Sequence, residues 1–349
     1  MVGIVVPSQS DIPSDETMMR AALELASSIA GTTSPNPWVG AVLIDRDGEV
    51  FEGFTEPPPG RHAEIVVLDA VKNAGKSAEG STLYVTLEPC SHYGRTPPCV
   101  NSIIEAGVKR VVVAIQDPDP KVNGSGIKKL EDVGIEVEVG LLANEVEESL
   151  MPYIKHRVAG VPWVTLKLAI SADGRIAAPD GSSQWITGEV AREDVHLMRS
   201  RSDVIITGAG TVRADDPQLT AREGGDQLAR QPLRIVLGKI PQGARVLPAL
   251  EYDGDVADLL RGLAEEGYMS VLVEGGSVVA HEFHDAGMVD RYVFYMAPVL
   301  FGGDDARAMF SGPGVQDMNS LWRGRFVEMT PMGDDIKVSI EPKERAWWH

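Results

Sequence analysis

Along the 349 residues, short apolar runs alternate with stretches of helical periodicity, and this alternation constrains the fold more than any other feature. Residues 14–30 repeat Met18, Ala22, Leu25 and Ile29 on one helical face. Ser14 can cap that helix, with Asp15 and Glu16 suited to its positive end. Residues 38–44 read as an apolar strand, and Asp45-Arg46-Asp47-Gly48 turns the chain into a second strand over 49–54. A helix is predicted from about His62, with Val66, Val67 and Ala70 facing inward. Residues 81–87 are a strand that Pro89 ends. Cys99 opens another helix, because Pro97 and Pro98 precede it and Gly107 closes it. Strands at 111–115 and 135–139 flank a short helix near 127–132. Such alternation predicts a mostly parallel sheet flanked by helices.

A chain this long suggests two domains. A polar helix at 144–156 followed by Ala159-Gly160-Val161-Pro162 forms the junction, and we divide the chain into 1–150 and 151–349. The second part again alternates: strands at 163–170, 203–207, 234–237, 270–273 and 292–296, and helices at 189–200, 255–266 and 276–286. Thr187 is the expected cap of the helix at 189–200. Both domains are therefore expected to be α/β.

Composition excludes some partners. A net charge of −19 argues against a nucleic acid, whose backbone needs a basic surface to displace counterions. No apolar run is long enough to span a bilayer, so no membrane partner is expected. The first ten residues carry no basic leader, which points to a cytoplasmic protein. Two cysteines cannot build a disulfide framework and more often serve a metal or catalysis. A homo-oligomer is expected.

Those two cysteines fall in an informative pattern: His62-Ala63-Glu64, then Pro89-Cys90, then Cys99. His62, Cys90 and Cys99 supply three zinc ligands, leaving a fourth position for water. Glu64 would stand beside that water as proton shuttle. Two buried thiols and a surface histidine are the bland alternative, which explains neither the glutamate nor the Pro-Cys pair. The pattern resembles that of zinc-dependent nucleobase deaminases, except that eight residues rather than two separate the cysteines. Asn36, between two prolines, is a candidate for holding a substrate ring; by residue type alone it is more often a turn residue. In the second domain, Val271-Leu272-Val273-Glu274-Gly275-Gly276-Ser277 reads as strand, glycine turn and helix start, a shape that admits phosphates. Gly208 and Gly210 repeat the theme after another strand. Lys167 lies in a strand that otherwise reads as buried, so it is a site candidate, with an edge-strand lysine as the alternative.

The stretch Cys90-Ser91-His92-Tyr93-Gly94-Arg95-Thr96-Pro97-Pro98-Cys99, preceded by Glu88-Pro89, resembles the deaminase half of the RibD family, bifunctional enzymes of riboflavin biosynthesis. Lys167-Leu168-Ala169, residues 171–177, residues 181–187, residues 208–217 and Val273–Ser277 are similar to the family's reductase half. The resemblance covers about residues 15–340. It implies a cytidine-deaminase-like three-layer domain followed by a dihydrofolate-reductase-like domain, with zinc and NADPH as cofactors and a phosphorylated pyrimidine as substrate. It implies that His92 and Arg95 contact a substrate phosphate. It implies cofactor contacts at Ala169, Trp185, Thr211, Asp215, Gly275, Gly276 and Ser277. Substrate contacts are implied at Ser183, Arg199, Leu219, Arg222 and Glu274. Trp185 read alone is equally a core anchor, and single arginines more often make surface ion pairs. The sequence departs from the pattern at Gly238, where an acidic residue is expected, in the short segment 238–255, and at Ala172 in place of a bulkier residue. The alternatives are a tRNA or nucleoside deaminase with an unrelated C-terminal domain, which the acidic charge opposes, and a zinc-stabilised binding module, which three rather than four protein ligands oppose.

Overall fold

A computed structural model describes residues 13–93, 97–120, 122–345 and 347. Two compact units emerge, Met1–Val158 and Ala159–His349. The division falls at the end of a helix that runs through residue 150, so the boundary lies beyond the predicted one.

The first unit contains α1 (Asp15–Ser28), β1 (Gly40–Ile44), β2 (Val50–Phe54), α2 (Ala63–Asn73), β3 (Thr82–Leu87), α3 (Cys99–Glu105), β4 (Arg110–Ile115), α4 (Ser125–Asp132), β5 (Glu136–Val139) and α5 (Ala143–Ala159). Ser14 caps α1 as expected, its hydroxyl accepting from the Thr17 N–H at 3.2 Å. The sheet order is β2-β1-β3-β4-β5. Only β3–β4 and β4–β5 are parallel; β1 pairs antiparallel with both β2 and β3. This sheet is mixed rather than mostly parallel, because the turn at 45–48 closes a hairpin. Helices cover both faces. A Cβ on Gly40 would collide with the Ala22 carbonyl of α1, and one on Gly53 would lie 2.6 Å from the Ala63 carbonyl of α2. Gly53 pairs with Ala41, the neighbour of Gly40, so the two glycines face opposite sides. The unit is thus three-layered. On α2 the buried positions are Ala63, Glu64, Val67 and Val71; Val66 and Ala70 are only half-buried, a small rotation from the predicted face.

The second unit opens with β6 (Trp163–Ser171), β7 (Arg175–Ala177), α6 (Glu189–Ser200), β8 (Val204–Gly208) and α7 (Ala209–Asp215). The short strands β9 (Arg222–Glu223) and β10 (Asp226–Gln227) follow, then β11 (Leu233–Leu237), β12 (Leu250–Tyr252), α8 (Val256–Glu265), β13 (Ser270–Val273) and α9 (Ser277–Asp285). The unit closes with β14 (Arg291–Ala297), β15 (Arg307–Ala308), β16 (Gly324–Met332) and β17 (Asp335–Pro342). Its eight-stranded sheet runs β12-β11-β8-β13-β6-β14-β17-β16. The first six strands are parallel, and β17 and β16 add antiparallel edges. Val164, Leu166, Leu168 and Ile170 of β6 face a core shared with α8 and α9. Lys167 and Ala169 point to the other face, beside Val293 and Tyr295 of β14 and below Ala191 and Val195 of α6. Lys167 therefore stands in the middle of the sheet, which removes the edge-strand alternative.

Two local expectations change. Thr187 does not cap α6. Gly188 is the cap residue, and its N–H donates to Asp335 of β17 at 2.7 Å, a partner far away in sequence. Gly238 takes a left-handed backbone at φ +98°, a conformation side chains disfavour. Its N–H donates to the Tyr252 carbonyl at 2.8 Å, so the shortened segment still returns to form β12 beside β11.

Candidate active sites

The metal-ligating residues converge from three elements. His62 is the N-cap of α2, Cys90 follows β3, and Cys99 is the first residue of α3. Their ligand atoms lie within 4.8 Å of one another, the only such grouping among the described residues. His62 Nδ1 is 3.6 Å from Cys90 Sγ and 3.3 Å from Cys99 Sγ. Tetrahedral zinc with ordinary bond lengths places a nitrogen about 3.6 Å from a sulfur, so the three side chains fit the ion. Cys90 is ready for that role. A hydrogen bond with Cys99, aided by His62 against the cost of burial, holds its thiol down at about 4. Its hydrogen bond with Cys90, and then burial, push the Cys99 thiol up.

Glu64 lies in the first turn of α2, two residues beyond the ligand His62, and is 4% exposed. Burial, then the Cys90 thiolate, pushes its carboxyl up to about 7. Asn36 lies in the turn before β1, its N–H donating to the Thr33 carbonyl at 2.8 Å. The start of β1 lies beside the end of β3, with the Gly40 N–H donating to Thr86 Oγ1 at 3.1 Å. The Asn36 segment therefore occupies the same end of the sheet as Cys90. His92 is exposed beyond Cys90. Arg95 falls outside the described residues.

In the second unit a cavity of about 510 Å³ gathers most of the remaining candidates. Lys167, Ala169, Ser183, Trp185, Arg199, Thr211, Asp215, Leu219, Arg222, Glu274, Gly275 and Gly276 all line it. Ser277 does not; it opens α9 as a buried residue whose carbonyl accepts from the Ser311 N–H. The Glu274 carboxylate, 8% exposed, receives Arg199 Nε at 2.5 Å and Nη2 at 2.9 Å, with Lys167 Nζ at 3.6 Å. Burial alone would raise the Glu274 carboxyl, but Arg199 and then Lys167 outweigh it and hold it at about 2. Burial lowers the Lys167 ammonium. Ser183 Oγ donates to Asp215 Oδ1 at 2.7 Å. Trp185 is 71% exposed with the Arg192 guanidinium 4.7 Å from its ring centre, so it is no core anchor. A Cβ on Gly276 would sit 3.1 Å from Thr211 Oγ1, so a side chain there would fill the cradle between the two glycine turns. An open cavity, a glycine cradle and a stacking surface fit a nicotinamide dinucleotide.

Some lining residues escaped the sequence reading. Arg192 and His196 share the face of α6 that carries Arg199, at helical spacing that was legible. His196 Nδ1 lies 2.9 Å from the Thr220 carbonyl, and Arg199 Nη1 donates to it at 3.3 Å, fixing the segment that carries Leu219 and Arg222.

The two units match two family models: the cytidine and deoxycytidylate deaminase zinc-binding region over residues 12–115, and the RibD C-terminal domain over residues 162–338. The riboflavin biosynthesis protein RibD of Bacillus amyloliquefaciens is 40% identical, with 95% of this chain and 97% of that one covered. The chain belongs to the RibD family. RibD of Mycobacterium tuberculosis is 42% identical over 94% of this chain and 98% of its own. Among solved structures, Acinetobacter baumannii RibD superposes with a TM-score of 0.87 at 35% identity, covering 95% of this chain and 99% of that one. A deaminase/reductase from Thermotoga maritima gives 0.84 at 36% identity, covering 94% and 98%. The protein is thus a bifunctional deaminase and reductase of riboflavin biosynthesis, with zinc and NADPH as its cofactors. No observation favours a tRNA deaminase or a binding module. Among the described residues, no helix is long and apolar enough to cross a membrane.

Proposed function

We propose that the first unit deaminates 2,5-diamino-6-ribosylamino-4(3H)-pyrimidinone 5′-phosphate. The second unit then reduces the ribosyl chain of the product with NADPH, giving 5-amino-6-(5-phosphoribitylamino)uracil. The Thermotoga maritima relative is named a diaminohydroxyphosphoribosylaminopyrimidine deaminase and 5-amino-6-(5-phosphoribosylamino)uracil reductase. The observation that carries the reading is Glu64, buried in the first turn of α2 two residues beyond His62, where the three zinc ligands converge.

His62, Cys90 and Cys99 would hold zinc, which when bound would act as a Lewis acid and bring the pKa of water toward neutrality. Glu64 accepts a proton from the attacking water and passes it to the departing amine, and its burial keeps bulk water from competing. Asn36 orients the ring, while His92 and Arg95 hold the phosphate. In the second unit, Gly275, Gly276 and Thr211 receive the cofactor pyrophosphate, with Ser277 and Asp215 beside them. Ala169 and Trp185, which line the cavity, would hold the nicotinamide. Arg199 and Arg222 hold the substrate phosphate, and Ser183, Leu219, Lys167 and Glu274 shape the remaining wall. NADPH supplies the hydride.

Glu64→Gln should keep zinc and lose deamination by at least about a hundredfold, since an amide cannot shuttle a proton. Reduction of the deaminated intermediate should be unchanged. Ammonia release and NADPH consumption measured separately check this; near-normal ammonia release would remove Glu64 from its role.

The domain division we favour functionally remains deaminase first and reductase second, with α5 as the junction. We place the protein in the cytoplasm, where two unpaired thiols stay reduced. A homo-oligomer is supported by the edge strand β16, where Phe326 and Met329 are 66% and 65% exposed. Light scattering giving a monomer mass would contradict it.

A further inference from the structure

Glu88, two residues before the ligand Cys90, is itself 3% exposed, yet among the described residues no lysine, arginine or histidine pairs with its carboxylate. Backbone N–H groups surround it instead. Oε2 accepts from Asp117 at 3.1 Å and Gly124 at 2.9 Å, and Oε1 accepts from Gly126 at 2.7 Å and Ile127 at 3.3 Å. A buried carboxylate needs such donors, and four fill its lone-pair positions. Three of them belong to the cap and first residues of α4.

The other side of Cys90 is tied to the same helix. Ser91 Oγ shares a 2.5 Å hydrogen bond with Ser125 Oγ, and Lys129 Nζ donates to the Ser91 carbonyl at 2.6 Å. A Cβ on Gly126 would overlap the Pro89 carbonyl oxygen, so the loop lies directly on the α4 backbone. The Cys90 carbonyl accepts from the Val100 N–H at 3.3 Å, and Cys90 Sγ from the Cys99 N–H at 3.3 Å. Residues 88, 89 and 91 are thus held by α4, while Cys90 itself meets the start of α3.

We propose that Glu88 is a positioning residue for the metal centre, acting by locking the Cys90 loop onto the first turn of α4 so that the Cys90 thiolate is already in ligand position before zinc arrives. The proposal rests on the zinc reading of His62, Cys90 and Cys99. α4, which contributes no ligand, becomes part of the frame that sets metal affinity. Fixing a ligand's support is worth roughly ten- to a hundredfold in metal affinity.

The test uses the full chain. Glu88→Gln keeps the shape but turns one acceptor oxygen into an N–H₂ that faces backbone donors. Zinc affinity is measured by chelator competition, the site geometry by the visible spectrum of the cobalt-substituted protein, and the fold by melting of the metal-free protein. We expect zinc affinity to fall by at least about tenfold and the cobalt spectrum to change. NADPH affinity should stay the same. Lys129→Ala, an exposed position holding the same loop, should shift zinc affinity in the same direction by less. If Glu88→Gln lowers the metal-free melting temperature but leaves zinc affinity and the cobalt spectrum unchanged, Glu88 is merely structural and the proposal falls. If that variant does not fold, unchanged zinc affinity in Lys129→Ala overturns it. A parent protein that binds no zinc overturns the metal reading itself, and this proposal with it.

Discussion

Glu274 shows how much one buried carboxylate can hold together. It pairs with Arg199 and lies 3.6 Å from Lys167 in a cavity wall where burying either cation unpaired would be costly. Its folded pKa of about 2 lies below the ordinary 4.5, so its contribution to stability is fully present above pH 4.5 and is lost as pH falls toward 2. Glu274→Gln should cost about 3–5 kcal/mol at pH 6, because it leaves buried cations unpaired. Denaturant melts at stepped pH should show that cost shrinking between pH 4.5 and 2; a constant cost would contradict the pairing. At this scale the sequence was legible where chemistry demands a residue type at a fixed spacing. His62, Glu64, Cys90 and Cys99 are such residues. Glu88 was not, since its backbone partners lie 29 to 39 residues away and only folding brings them near.

Among elements, those with one clear periodicity were read to within a residue or two: α1, α6, β13 and α9. The hairpin β16–β17 was missed because its outer strand leaves Phe326 and Met329 exposed, so apolar residues do not mark a buried face. The expected Thr187 cap also failed. The cap falls one residue later than expected, at Gly188, whose N–H is held by Asp335 on β17. Helix starts also carry function here, and the junction of β13 with α9 can be tested. At Gly276, a Cβ would meet Thr211 Oγ1 at 3.1 Å, and the branches of valine would fill the cradle beyond it. Gly276→Val should weaken NADPH at least about tenfold, the scale at which a blocked subsite becomes measurable, and leave deamination intact. Cofactor titration with unchanged affinity would show that the turn is structural only.

For the whole molecule, the sequence revealed two α/β units; in the first the three metal-ligating candidates converge, and in the second most of the remaining candidates line one cavity. The turn at 45–48 that closes β1 onto β2 was legible, but the alternation pattern could not reveal that β1 also pairs antiparallel with β3, because the two strands lie far apart in sequence. Two sites on one chain, sharing a phosphorylated intermediate, make a direct demand on stoichiometry. The central measurement gives the purified, zinc-loaded protein 2,5-diamino-6-ribosylamino-4(3H)-pyrimidinone 5′-phosphate and NADPH, and follows ammonia release and NADPH oxidation together. The account predicts that both proceed to one equivalent each, with ammonia first, and that stripping zinc halts both from this substrate while supplied deaminated intermediate is still reduced. NADPH oxidation without ammonia release, or ammonia release that never leads to NADPH oxidation, would contradict it.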